Sequence, residues 1–500
     1  MTALGNISVV SASYFVQTVS NIVFYLVVAR NLPPVEVGAI TLFLSFSNIF
    51  IPLFALNLDT GFTHFISYFR IKTGKPKIPK LFIILTIIMM IISFTLISSF
   101  SYQIALVFFH SKMYTNILVL LGGFVSESIG LSFMISILQG MQSFKLAAIS
   151  NILYSTLSMG TPIGMIFLRF PLELISLGFV VGAGLSLTIT ILFVLKNKVS
   201  SESIYKGFNK KFFIYVIPAY IGGITSSLMG TLDRVILPAF TNLTISAIYT
   251  YSITIATIVT AIASPFSFFL LPKISEAYSM KNHIGVKEYT EGSLQLFYFL
   301  ALPVSLGITV LSLPILNALV GGIYAEHYMV LQIMVFSYSF FSFRPLISSI
   351  LFGLKKTKIY MYSGSAALVV NLVLSITLIP LLGIYGAVIS SVSAWAVSTI
   401  PRIIVLNSLL GHKVSKLPYL KIWINALIMC SAIFFFESIL NSDFEGLIFL
   451  FIMGIIIYAT LSIINNPFSN QVRVLINTLL DDSNPVFKKI LKVFVRLALK

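Results

Sequence analysis

Long apolar runs, separated by short polar, glycine- or proline-containing breaks, dominate this chain from end to end. Stretches such as LFIILTIIMMIISFTLISSF (81–100) approach the roughly 20 residues an α-helix needs to cross a bilayer. Counting such segments predicts fourteen helices, near 8–30, 38–68, 81–109, 116–138, 146–168, 174–195, 212–233, 245–271, 292–318, 328–352, 359–380, 384–407, 418–437 and 445–464. The spans at 245–271 and 292–318 contain Pro265, Pro303 and Pro314. Helices in lipid tolerate prolines as kinks when the freed carbonyls find partners.

Composition fixes the class. Of 500 residues, 58% are hydrophobic and only 9% charged, where a soluble domain carries about 25% charged residues. The chain cannot cover a water-facing surface and reads as an all-α polytopic membrane protein. A net charge of +17 would ordinarily suggest nucleic acid, but the lysines and arginines fall in clusters at every second loop, so no nucleic-acid partner is expected. The single cysteine, Cys430, excludes an intrachain disulfide and a Cys-based metal site. The first charged residue is Arg30, so the N-terminus reads as a first span rather than a cleaved signal.

Those clusters also orient the chain. With the N-terminus in the cytoplasm, all but five of the 32 Lys and Arg fall in inner segments, the last of them being 402–421 and the C-terminal tail. The five are Arg30, Lys112, Arg169 and Arg234 in outer connections and Arg344 inside a span. This asymmetry places both termini in the cytoplasm of a multi-pass cell-membrane protein.

The chain repeats itself. ILQGMQSFK (137–145) and ILFGLKKTK (350–358) share Ile, Leu, Gly and Lys in register, each after the fourth helix of its half. Six helices between equivalent points give a parallel repeat. The expected organisation is a six-helix bundle over 1–200, a second over 201–411, two further spans over 412–465 and a basic tail over 466–500. Two such bundles around a central cleft form a transporter architecture, in which rocking exposes the cleft to each side in turn.

A charge at membrane depth marks a functional site by default. Asp59 precedes Arg70, where its helix reaches the inner surface, by about three helical turns and is therefore about 16 Å deep. Arg344 precedes Lys355 by the same interval, at a similar depth, and Glu127 lies well inside the fourth helix from its outer end. Asp59 or Glu127 could take and release a proton or join a sodium site. Arg344 keeps its charge, and its planar fork suits phosphate oxygens. Pro345 behind it leaves a carbonyl of the preceding turn without its helical partner. The competing reading is an interhelical acid–arginine pair that fastens helices.

A second set lies at outer helix ends: Arg30 after the first helix, and Asp233 and Arg234 at the end of the seventh, where the alternative role is ordinary anchoring. The five histidines, His64 included, show no metal-ligand spacing. The tail VFKKILKVFVRLALK (486–500) places Lys488, Lys492, Arg496 and Lys500 on one stripe, a helix suited to anionic lipid of the inner leaflet. There is no G-x-x-x-x-G-K-[ST], so no P-loop ATP hydrolysis, and no connection has room for a catalytic domain. No enzymatic activity and no cofactor are expected, beyond coupling to protons or sodium.

ARNLPPVEVGAITLF after the first helix, LDTGFTHFISYF in the second and LDRVILPAFTNLTISAIYTYS across the seventh and eighth follow one another in a familiar order. FLLPKISEAYS and ILFGLKKTKIYMYSGSAALVVNLVLSITLIPLLGIYGAVISS complete it. In these segments, over about residues 8–465, the chain resembles the polysaccharide-transporter branch of the superfamily that unites multidrug extruders, oligosaccharide-lipid flippases and polysaccharide exporters. The resemblance implies a MATE-like fold and movement of a lipid-linked oligosaccharide from the inner to the outer leaflet through a cationic cleft. Carried over, Arg30, Arg234 and Arg344 would be the basic positions and Asp59 the acidic one. Partners would be the lipid-linked substrate, membrane lipids and glycan-assembly enzymes. The alternative is a proton- or sodium-coupled multidrug exporter, which calls for an acidic and aromatic cleft. A membrane scaffold or lipid-modifying enzyme is the third reading.

Overall fold

In the computed structural model the chain is helical along nearly all of its described length, which comprises residues 3–73, 77–196, 200–202, 227–410, 417–439, 444–469 and 471–472 and a few isolated positions between 212 and 225. Helices α1 (Ala3–Asn31), α2 (Pro34–Ala55), α3 (Leu58–Thr73), α4 (Lys80–Ser99), α5 (Ser101–Phe108), α6 (Thr115–Gly140), α7 (Phe144–Phe167) and α8 (Leu172–Lys196) come first. They are followed by α9 (Leu232–Phe240), α10 (Leu243–Ala261), α11 (Ala263–Ser279), α12 (His283–Val310), α13 (Ser312–Leu319), α14 (Tyr328–Phe341) and α15 (Arg344–Gly353). The last four are α16 (Thr357–Leu382), α17 (Ile384–Leu410), α18 (Leu417–Glu437) and α19 (Phe444–Asn465).

Among the described residues, 11 helical stretches are long and apolar enough to span a membrane, each at one of the expected spans. Helices α1 and α7 occupy the first and fifth positions as well. The seventh span lies mostly outside the described residues, as does the basic amphipathic helix expected at 486–500. Burial is inverted relative to a soluble protein. Ile84, Ile87 and Ile91 of α4 and Ile452, Ile455 and Ile456 of α19 are exposed, whereas Ser150, Ser186, Thr190, Ser293 and Ser305 are fully buried. Only a lipid solvent makes that distribution favourable.

Several expected spans are broken rather than continuous. The eighth ends at Ala261, the ninth at Val310 and the tenth at Phe341. Each end lies one helical turn before a proline, Pro265, Pro314 or Pro345, whose missing N–H cannot bond the carbonyl one turn back. Pro303 behaves differently. Helix α12 runs through it, and the freed Phe299 carbonyl accepts a 2.9 Å hydrogen bond from the Tyr458 hydroxyl of α19. The second span, expected as one helix over 38–68, breaks at Leu56 and Asn57, both left-handed (φ 50° and 55°). The third breaks at Phe100.

The chain divides into two compact units, Met1–Thr250 with Leu372–Ala387, and Tyr251–Asn371 with Val388–Lys500. In the first, Phe179 of α8 is the hub of an aromatic core, with ring centroids 5.4 Å from Phe24, 5.2 Å from Phe43 and 5.7 Å from Phe124. Helices α7 and α8 approach so closely that a Cβ on Gly182 would collide with the Leu157 carbonyl. Two three-residue strands, Lys77–Pro79 and Ser200–Glu202, pair in parallel, a feature absent from the hydropathy pattern.

In the second unit, α12, α18 and α19 share a core that includes Leu302, Leu306, Ile422, Met429, Ile433 and Tyr458. The chain after α19 folds back on it. The Phe468 ring centroid lies 4.7 Å from that of Phe299, Gln295 bonds both the Pro467 carbonyl and Ser469, and Lys421 donates to the carbonyls of Asn465 and Asn466.

Candidate functional site: a polar cavity in the first unit

The break in the second span explains how a carboxylate sits deep in an apolar chain. Because α2 stops at Ala55, Asp59 falls in the first turn of α3. A helix N-terminus presents N–H groups without intrahelical partners and a positive dipole end, both of which offset the cost of a buried anion. The Thr60 N–H donates to Asp59 Oδ1 at 2.8 Å, and the Thr60 hydroxyl donates to the Asn57 side chain at 3.0 Å. Across the gap, the Ser132 hydroxyl of α6 points at Asp59 Oδ2 from 3.4 Å.

Asp59 forms part of the wall of a cavity of about 730 Å³ lined by α1, α2, α3, α6 and α7. Four side-chain carboxamides face it, Gln17, Asn48, Gln139 and Asn151, together with Ser128, Ser132, Ser136, Thr60, Thr63, His64 and Tyr154. The Tyr154 and Ser128 hydroxyls are 3.0 Å apart. None of the four carboxamides makes a side-chain hydrogen bond among the described residues, so among those residues their donors and acceptors are uncommitted. Among those residues no lysine or arginine lines the cavity, and Asp59 is its only carboxylate. A smaller adjoining cavity of about 280 Å³ shares Asn48, Asp59 and Ser132 and reaches Tyr220 and Ser227.

The other sequence candidates lie elsewhere. Glu127 occupies the seam between α6 and α8, its Oε1 only 3.0 Å from where a Cβ on Gly184 would stand, and its Oε2 is buried with no hydrogen-bond partner among the described residues. Arg30 lies in the last turn of α1 and is exposed. Asp233 and Arg234 do not end the seventh helix. They open the separate helix α9, after a turn at Gly230 and Thr231. Asp233 is 1% exposed and accepts a hydrogen bond from the Tyr249 hydroxyl, so it is not a surface anchor. Arg234 is half-buried.

Arg344 belongs to the second unit, where it opens α15 with its guanidinium 5.1 Å from the Trp395 ring centroid. Its surroundings include Arg402, which the charge pattern assigns to an inner segment. Arg402 is 5% exposed inside α17, donates to Ser363 at 2.8 Å and Ser348 at 3.1 Å, and lies 4.4 Å from the centre of the Tyr360 ring. The Ser348 hydroxyl in turn donates to the Arg344 carbonyl at 2.9 Å. The signal that could have found Arg402 is its position within the apolar span 384–407. His64, Gln17, Asn48 and Asn151 also lie within apolar runs, but none carries a fixed charge to draw attention, and Gln139 falls in the connection after the fourth span.

The family model "Lipid II flippase MurJ" matches residues 12–469. Among curated proteins, the chain is similar to the uncharacterized membrane protein MJ1068 of Methanocaldococcus jannaschii, 23% identical over 480 residues, 89% of this chain and 91% of that one. It is also similar to the probable low-salt glycan biosynthesis flippase Agl15 of Haloferax volcanii, 24% identical over 213 residues, 41% of this chain and 45% of Agl15. The chain thus spans about half the length of Agl15, and likewise of a second M. jannaschii membrane protein, MJ1375. Of solved structures, lipid II flippase MurJ in an inward closed conformation superposes with a TM-score of 0.70 at 18% identity, covering 91% of this chain and 98% of that one. An inward-facing multidrug resistance MATE family transporter of the MOP superfamily gives 0.63 at 15%, covering 79% and 94%. These likenesses fix the fold as that of an all-α polytopic membrane protein, and with the family model matching over most of its length, the chain belongs to the lipid II flippase MurJ family.

Proposed function

We propose that this protein moves a lipid-linked oligosaccharide from the cytoplasmic to the outer leaflet of the cell membrane by alternating access. The observation that carries the reading is the hydrogen-bonding cavity of about 730 Å³ inside a unit whose outer faces are apolar, in a chain of the lipid II flippase family. Sugars lose their hydration in lipid at several kcal/mol per unpaired polar group, roughly 2–7 on different scales. A cavity of amides and hydroxyls replaces that hydration while the lipid tail stays in the bilayer. The same reading puts both termini in the cytoplasm, in line with the distribution of lysine and arginine, and assigns no bond-making chemistry to the chain. Coupling to protons or sodium would run through Asp59 or Glu127. Its partners would be membrane lipids and the enzymes that assemble the glycan.

Multidrug export is the second reading, favoured by one observation: among the described residues the only carboxylate of the cavity, Asp59, shares its wall with aromatic Tyr154, chemistry that also suits a cation. Purified protein in liposomes separates the two. A lipid-linked oligosaccharide becoming reachable from the opposite leaflet faster than in protein-free vesicles supports the flippase. Gradient-driven movement of a cationic dye without lipid-linked glycan movement supports the exporter.

A further inference from the structure

We propose that the first-unit cavity takes the uncharged sugar portion of the substrate and excludes its phosphate. This rests on the flippase reading and deepens it by naming which part of the headgroup enters. Three observations carry it. Among the described residues the cavity has no lysine or arginine to neutralise a phosphate, and Asp59 repels one. Its four carboxamides, Gln17, Asn48, Gln139 and Asn151, come from four different helices, and their side chains are uncommitted among the described residues. A carboxamide both donates and accepts, as a sugar hydroxyl does, so the two satisfy each other without charge. Third, among the described residues Asp59 Oδ2 has only the long 3.4 Å contact from Ser132, which leaves acceptor capacity for hydroxyl donors.

Size and access agree. Small-molecule sites typically run about 300–1,000 Å³, and this cavity holds about 730 Å³, room for a few sugar rings. Gln17, Thr60 and His64 on its wall are exposed, which leaves a way in. The Tyr154 ring supplies an apolar face against which a pyranose can lie. A uronic acid or a phosphate would bring a second negative charge beside Asp59 and, among the described residues, meet no lysine or arginine to offset its lost hydration. The chemical class is therefore a neutral hexose or N-acetylhexosamine chain.

The test uses the purified full chain in detergent and saturation-transfer NMR with three probes: a free neutral disaccharide, the same disaccharide oxidised to a uronate, and inorganic pyrophosphate. The neutral disaccharide should bind saturably, while the uronate and pyrophosphate neither bind nor compete. Asn151→Leu should weaken the neutral sugar about fivefold, the loss of one hydrogen bond, and Asn151→Gln should restore part of it at an unchanged unfolding temperature. Should Asn151→Leu not fold, Gln139→Leu takes its place. Displacement by pyrophosphate, equal binding of the uronate, undiminished binding by the leucine variants, or no binding of the neutral sugar would each overturn the proposal. The flippase reading fails separately, if the wild type moves no lipid-linked oligosaccharide in liposomes.

Discussion

Gln142 and Lys355, at matching positions of ILQGMQSFK and ILFGLKKTK, share one backbone conformation, left-handed with φ of 61° and 58°. Each closes a helix in the same way. Ser143 N–H bonds the Leu138 carbonyl at 2.9 Å and Gln142 N–H that of Gln139 at 2.8 Å; Lys356 bonds Leu351 at 2.8 Å and Lys355 bonds Phe352 at 3.0 Å. This is the Schellman ending, repeated at the register in which ILQGMQSFK and ILFGLKKTK align. The two segments thus share a helix ending, one that Arg169 and Lys281 also adopt. Neither position holds the usual glycine, and a side chain there costs about 1–2 kcal/mol. Gln142→Gly and Lys355→Gly should leave stability unchanged or slightly raised, whereas Gln142→Val and Lys355→Val should lower it by about 1 kcal/mol or more. Thermal unfolding in detergent measures both.

Tyr458→Phe removes the hydroxyl that bonds the Phe299 carbonyl freed by Pro303. Hydrogen bonds between membrane helices are modest, so a loss of about 1 kcal/mol is expected. Pro303→Ala, which restores the helical N–H, should reduce that penalty in the double variant. Equal penalties in both backgrounds would separate the tyrosine from the proline.

Arg402 holds two serines with a planar fork and lies over Tyr360. Lysine offers a charge without the fork. Arg402→Lys should destabilise the protein by about 1–3 kcal/mol, and Ser348→Ala should also destabilise it, since it loses both the Arg402 bond and the hydroxyl's own bond to the Arg344 carbonyl. An unfolding temperature unchanged in Arg402→Lys would mean that charge alone matters there.

Glu127 keeps a buried carboxylate oxygen with no hydrogen-bond partner among the described residues. A carboxamide is cheaper to bury than a carboxylate. Glu127→Gln should therefore raise thermal stability, by about 1 kcal/mol on the scale of one unmet polar group. A fall would show that the acid is held by a bound ion.

The spans and the membrane setting are legible in the sequence because hydropathy and charge reach them directly. Helix breaks are half legible. Pro265, Pro314 and Pro345 mark their ends by a missing N–H, and Pro303 looks no different from them until Tyr458, far downstream, supplies a donor. The break at Leu56 and Asn57 has no such signal, since neither is glycine or proline. Asp59 can be found because a charge in an apolar run is conspicuous. The carboxamides around it cannot, because a neutral Asn or Gln on one span means little until four helices bring several together. Arg402 counts as a loop residue in the charge pattern because it lies near a span's end, where burial depends on neighbours the sequence does not name.

Everything proposed for transport requires the first-unit cavity to lie on the path of the substrate. Ser132 faces that cavity from α6, beside Asp59, and Ser132→Trp would obstruct it there without adding charge. The decisive measurement is the rate at which a neutral lipid-linked oligosaccharide becomes reachable from the opposite leaflet of liposomes, with wild type and Ser132→Trp run side by side at matched unfolding temperature. Acceleration by the wild type is expected, with a rate near that of protein-free vesicles for the variant. A variant as fast as the wild type, or a wild type no faster than empty vesicles, would contradict a transport path through this cavity.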